Sequence, residues 1–564
     1  VAQAPDAGRE ALGSASSPDP VAWWSELGRP GFTSEADAGT LFPWTLAGLV
    51  RGTWRREDRD RGQPGRLVAG AAGSDVPLAW YDSLSVTPGN GSAWLGFDGT
   101  LIGVDGVTAA PPPGSERRQR TRADVRLSSG SSGYSDNALS LRLGDRRSWL
   151  WGETQSFNRD GLGGLGDAGR HLYDAAAART FGLHRVSGAF GQYGSSASLS
   201  EGTEGSSHGN GGHVEYRYGG GWVGGRVRLE RGTESQESFG PLLLFSRRDA
   251  QDLGVSVELE GESDQRGWGA RLSWRRESVR RATAGTPVFD AAAQALWAAG
   301  RWQRPLGDGL LDLEIGWGRH DQVDRVELAP ALRYEFHGGP FAGRASLART
   351  VTPVWSDLRA GQAPFLQSTW HGGIEVVAAP SPLTHAGASF MVGRTRDRAV
   401  VRRWPLSDLW LRSGFVADPA DYDFALLTAD ASWGGRHGVV GVEGFTLGRD
   451  ASPIQPLVDP GHGGRARADW TFLAFKGDLG VRVGADVAGL GKRESEGSPP
   501  RTLPGYVTYG ASVVLALEDV RVTLRALNLE DVRRPETWVD PATGVEALGP
   551  GRELRFVLTW RLFD

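Results

Sequence analysis

Along most of the chain, apolar and polar positions alternate one by one. Leu311, Leu313, Ile315 and Trp317 point one way, and Asp312 and Glu314 the other. Val255, Val257 and Leu259 oppose Ser256, Glu258 and Glu260, and Tyr509, Ala511, Val513, Leu515 and Leu517 oppose Thr508, Gly510 and Ser512. Val520, Val522 and Leu524 oppose Arg521, Thr523 and Arg525. The last fourteen residues, Gly551 to Asp564, repeat the pattern: Leu554, Phe556, Leu558, Trp560 and Leu562 share one face, and Arg555, Val557, Thr559 and Arg561 the other. A period of two marks a strand with one oily and one wet side.

Read this way from Gln119 onward, the chain predicts a first strand at 120–129 and then ten pairs. These are 136–143 with 147–158, 172–185 with 187–201, 211–218 with 221–232, 251–261 with 266–280, and 290–304 with 309–322. The rest are 325–337 with 340–352, 368–378 with 384–396, 421–434 with 437–450, 464–475 with 479–491, and 504–517 with 519–529. With the terminal strand the tally is about 22, an even number as expected of a single-chain bacterial barrel. Connections within pairs are short and rich in turn formers, among them Gly219-Gly220, Leu306-Gly307-Asp308 and Lys476-Gly477-Asp478. Those between pairs are often longer, as at Asp160 to Arg170 and Asp397 to Ala420. Short turns on one rim and long loops on the other describe an outer-membrane barrel with its long loops outward. A soluble sandwich also alternates, but it hides its oily side and its strands run shorter. The expected fold class is therefore all-β, a transmembrane antiparallel β-barrel in the bacterial outer membrane.

Composition agrees. No run of 18 apolar residues occurs, so no helix of this sequence spans a bilayer, whereas barrel strands escape that test because half their residues are polar. There are 82 Gly, 22 Trp and one Met. Cysteine is absent, which excludes disulfides, thiol catalysis and cysteine-ligated metal centres. A net charge of −5 over 564 residues gives no nucleic-acid signal. Val1-Ala2-Gln3-Ala4-Pro5 looks like the neighbourhood of an export cleavage point.

The first 118 residues read differently. Val1 to Pro20 is a small-residue and proline-rich lead, Val21 to Leu27 predicts a short helix capped by Asp19, and Arg51 to Arg61 a mixed-charge loop. A short strand at Leu84 to Val86 then enters a glycine-rich turn and an apolar stretch punctuated by Gly96, Gly99 and Gly103, before Pro111-Pro112-Pro113 stiffens the linker. This segment resembles the second half of the plug domain of TonB-dependent outer-membrane transporters, with Pro88, Gly89, Gly91, Ser92, Trp94 and Gly96 at the matching positions. Leu524 to Asp531 is similar to the penultimate-strand ending of that family, with Glu530 where an aromatic is common. Phe563 is penultimate where the family ends on an aromatic. The resemblance implies a plug-like domain over 1–118, a barrel over 119–564, and energised uptake in which a TonB-like partner pulls on the plug. The first half of this N-terminal portion carries no clear plug motif, and no TonB-binding segment precedes Pro30.

No catalytic constellation emerges, and neither a cofactor nor a metal is expected. Gly161 to Gly166 has dinucleotide-fingerprint spacing without a βαβ context and reads as an outer loop. His208 and His213 lack further ligands nearby. Two apolar clusters in expected outer loops are better candidates for ligand or partner contact: Phe239, Leu242, Leu243 and Phe245, and Trp404, Trp410 and Phe415. Three functions stay open: a receptor-like transporter, a structural barrel anchoring a surface lipoprotein or another outer-membrane protein, and a porin-like channel.

Overall fold

The computed structural model describes 54–56, 59–60, 83–88, 93–94, 97 and 102–107, and then most of 120–562. The main stretches left out of the latter are 160–164, 200–203, 240–245, 355–364, 404–411, 450–460, 495–500 and 540–545. Four short N-terminal strands, β1 (Trp54–Arg56), β2 (Arg59–Asp60), β3 (Ser83–Pro88) and β4 (Ile102–Val107), form a small sheet in the order β2-β1-β4-β3. Arg51 to Arg61, expected as a loop, thus contributes a hairpin to that sheet, with Arg55 opposite Asp60. The expected helix at 21–27 lies outside the described residues.

The barrel begins with β5 (Arg120–Gly130), β6 (Ser135–Gly144) and β7 (Ser148–Arg159). Seven longer strands follow: β8 (Leu165–Phe181), β9 (His184–Leu199), β10 (Glu204–Gly219), β11 (Val223–Phe239), β12 (Ser246–Ser263), β13 (Arg266–Thr283) and β14 (Thr286–Leu306). Next come β15 (Gly309–His320), β16 (Val323–Gly338), β17 (Phe341–Val354), β18 (Phe365–Ser381) and β19 (Thr384–Arg396). A loop hairpin, β20 (Arg398–Arg403) with β21 (Arg412–Asp418), precedes β22 (Tyr422–Gly434), β23 (Gly438–Arg449), β24 (His462–Ala474) and β25 (Leu479–Leu490). The hairpin of β26 (Arg493–Glu494) and β27 (Thr502–Leu503) leads to β28 (Tyr506–Leu517) and β29 (Val520–Leu527). A last loop pair, β30 (Pro535–Val539) and β31 (Glu546–Leu548), comes before β32 (Glu553–Leu562). Among the described residues, 22 of these strands close into one barrel. Closure is made as expected, by β32 pairing with β29 on one side and β5 on the other.

The barrel wears its oily side outward. In β32, Leu554 is 58% exposed while the next residue, Arg555, is 2% exposed. In β12, Val257 and Leu259 are exposed and Ser256 and Glu258 buried. A soluble core would reverse this, whereas lipid is the natural neighbour of such a face. Tyr218, Trp222, Trp268, Trp302, Phe341 and Trp433 are exposed close to the short-turn rim, where an aromatic girdle meets the membrane interface.

Several strands outrun their expected bounds. The turn between β8 and β9 falls at 182–183, and β8 reaches back to Leu165, shortening the loop expected over 160–170. Phe239, expected in a loop, is the last residue of β11. A bilayer needs about 9–11 residues per tilted strand, and β8 to β14 have 16 to 21. Their surplus extends past the apolar band, where the exposed face turns polar and the alternation no longer signals a strand.

Candidate functional site

Facing into the barrel, β14 presents Ala293, Ala295, Trp297 and Ala299, all buried, and then Arg301. Register carries the small-residue theme sideways: Trp297 lies opposite Gly318 and Ala299 opposite Gly316 on β15, Gly316 opposite Ala329 on β16, and Ala331 opposite Ala348 on β17. So much glycine and alanine hollows the wall, and a segment far away in the sequence fills it. Ala93, fully buried, packs against Ala331 and Ala348. Phe97 packs with Ala295, Trp297, Ala299, Ala329, Val351 and Leu366, and Trp94 lies against the same cluster.

Trp297 anchors this contact. Its indole Nε1 donates a hydrogen bond to the Ala93 carbonyl at 3.1 Å, and its ring meets Phe97 edge-on at 4.8 Å between centroids. Phe97 also stands edge-on to His320 at 5.9 Å. A buried indole needs such a partner, and here it is a backbone carbonyl. Two glycines make the approach possible. A Cβ at Gly316 would collide with the Ala93 carbonyl and the Trp297 ring, and one at Gly269 would lie 2.8 Å from the Trp94 ring.

Around this apolar patch the inner wall is charged and internally paired. Toward the short-turn rim, Arg301 donates to Asp312 at 2.5 and 3.1 Å, Arg333 to the same carboxylate at 3.2 Å, and Arg344 to Glu335 at 3.1 Å. On β11 to β13, Arg226 and Arg271 share Glu258 at 2.5 and 3.1 Å, while Arg275 holds Glu230 at 2.9 Å and Asp252 at 3.6 Å. These charges face opposite ones on neighbouring strands, the condition under which buried charge is tolerated. The arrangement combines a polar lining with an apolar docking site for Ala93, Trp94 and Phe97.

The barrel resembles solved structures over nearly its whole length. The siderophore receptor PirA from Acinetobacter baumannii matches with a TM-score of 0.73, 10% identity and 100% of both chains covered. The copper transporter OprC matches at 0.73 with 14% identity, covering 91% of this chain and 90% of that one. The FrpB iron transporter from Neisseria meningitidis (F3-3 variant) matches at 0.71 with 11% identity, covering 91% and 92%. The fold is that of the TonB-dependent outer-membrane receptors. No protein-family model and no curated protein matches the sequence.

Of the residues expected in the plug-like turn, Trp94 lies on the inner wall and Pro88 ends β3; Gly89, Gly91, Ser92 and Gly96 lie outside the described residues. Of the outer-loop candidates, Phe239 ends β11 and Phe415 belongs to β21, across from Val401. Leu242, Leu243, Phe245, Trp404 and Trp410 lie outside the described residues. The two loops leave the barrel with β12 to β19 between them, so the strand order does not bring them side by side. Sequence reasoning missed Trp297 and its alanine neighbours. The available signal was a strand whose inward positions read Ala, Ala, Trp, Ala where the preceding strand carries Glu277, Arg275 and Arg271.

Proposed function

We propose that this protein is a receptor-like transporter of the outer membrane, whose lumen is closed by its N-terminal portion and whose ligand enters from the side of the long loops. The observation that carries this reading is the docking of Ala93, Trp94 and Phe97 on the inner wall around Trp297. A porin has no use for an apolar contact across its channel. A transporter of this fold needs a closure that holds at rest and can be withdrawn, and a patch of a few side chains with one hydrogen bond suits that purpose. In the proposed cycle the ligand binds the outer loops and the outward face of the N-terminal domain, and a TonB-like protein supplies the pull. The structures matched are named for iron, copper and siderophore cargo; the ligand class of this chain is left open by that likeness.

Single-channel recording in planar bilayers tests the reading. The full chain is expected to conduct little, and a chain lacking residues 1–118 to open a large, steady pore. Large conductance from the full chain would support the porin reading instead. Gentle solubilisation with a stoichiometric outer-membrane partner and no ligand uptake would favour the anchoring one.

A further inference from the structure

The barrel wall has a seam. β16 and β17 pair from Gly338–Phe341 up to Ala331–Ala348, and no ladder pair joins them above that point among the described residues. Both strands continue, β16 paired with β15 up to Val323 and β17 paired with β18 up to Val354. The first β16 residue above the last pair is Pro330, which has no amide hydrogen to carry the ladder on. Proline within a sheet belongs at an edge, and above Ala331 the β17 side of β16 is one.

Arg349 clasps the gap. Arg349 donates to the Leu328 carbonyl at 2.6 Å and to Glu327 at 2.7 Å, both on β16, and to Ser368 on β18 at 2.9 Å. On the inner side the mouth of the seam is apolar: Ala329, Val351 and Leu366, covered by Phe97. On the outer side, beside the apex, is an open groove of about 520 Å³ lined by Trp302, Leu313, Ile315, Leu332, Leu347 and Trp370. Apolar surface thus lies on both sides of the seam, with Arg349, Glu327 and Ser368 between the lipid-facing groove and the docking site of Ala93, Trp94 and Phe97.

We propose that this seam is a lateral portal for the acyl chain of an anionic amphiphile. The groove opens on the bilayer, so acyl chains are what it meets, and most of its lining is apolar, with Arg301 and Glu314 the charged residues among it. Arg349 supplies the charge complementarity. A guanidinium has five N–H donors, three of which are engaged, and an anionic headgroup competes with Glu327 for them. Exchange of partner at Arg349 would free the chain to slide inward onto the patch that Phe97 now covers. The proposal deepens the receptor reading by naming a ligand class, but it needs only a membrane-spanning barrel, so the conductance experiment can fail without affecting it.

The chain has no native cysteine, so Ala329→Cys with Val351→Cys can be joined across the seam by a short thiol-specific cross-linker carrying a reducible bond. The full chain, in nanodiscs doped with a diazirine-bearing palmitic acid, is irradiated, and labelled residues are located by mass spectrometry. Expected labels are at Leu347 or Trp370 in the groove and also at Trp297 or Phe97 inside. Cross-linking should abolish the inner labels and leave the outer ones, and reduction should restore them. Arg349→Ala should raise inner labelling about tenfold, the order expected for removing a charge-assisted clasp, and should abolish the preference for the palmitic acid over its uncharged methyl ester that the native chain is expected to show. Labels confined to the groove in every variant would overturn the portal and leave a lipid-filled dent, as would inner labels indifferent to the cross-link. Absence of any groove label would overturn the acyl site itself.

Discussion

Glycine at 316 is the residue on which the inner contact depends most. It leaves the space that the Ala93 carbonyl and the Trp297 ring occupy together. Gly316→Val suits the strand by propensity but forces Ala93, Trp94 and Phe97 off the wall, so pore conductance is expected to rise while the barrel stays folded. Gly300→Ala is the control, because a Cβ there meets only the Ile315 side chain at 3.9 Å on the lipid side. Equal conductance for both variants would sink the idea that this contact closes the lumen. Alternation alone puts Gly316 on the wet face and Gly300 on the oily one. What the space at Gly316 is for is told only by its packing partner, more than two hundred residues away.

At the scale of elements, the stretch from Leu524 to Asp531 shows what a family-like motif does physically. β29 ends at Leu527, and Asn528 and Asp531 both take left-handed backbone, at φ of 49° and 60°. The Asn528 side chain bridges the turn, donating to the Val532 carbonyl at 2.8 Å and accepting from the Val532 amide at 3.3 Å. Asp531 then accepts from the Arg552 amide at 2.6 Å, tying the turn to the residue before β32. Asparagine and aspartate tolerate this conformation better than other side-chain-bearing residues. Asn528→Ala is therefore expected to cost about 1–3 kcal/mol, from a lost turn bond and a strained φ, read as a lower midpoint in denaturant unfolding. Asn528→Gly should recover the backbone part only. The position held by Glu530 takes no part in these turn bonds, so a departure there leaves the turn intact.

For the whole molecule, stability and closure are separate matters. The cylinder is held by ladders between every neighbouring pair of strands, interrupted among the described residues along the seam and at the uneven rims. Its inner charges are paired strand to strand. Nothing in that framework requires residues 1–118, so a chain beginning at Gln119 is expected to refold in detergent and to keep the heat-modifiable gel mobility of a closed barrel. A truncated chain that failed to fold, while the full chain succeeded, would show that the inner contact is needed for assembly.

The sequence determined the barrel almost by itself, because the cause is local. Alternation is a property of neighbouring residues, and with lipid outside and charge inside it had to be written into every strand. The short turns, the terminal strand and its two partners were legible for the same reason. Where strands rise past the apolar band, at Leu165 to Arg170 and at Phe239, the outer face no longer had to be oily and the bounds blurred. The docking of Ala93, Trp94 and Phe97, the role of Trp297 and the seam between β16 and β17 were decided by tertiary structure alone. Each depends on which residues a closed sheet brings opposite one another, and a period of two carries no information about that.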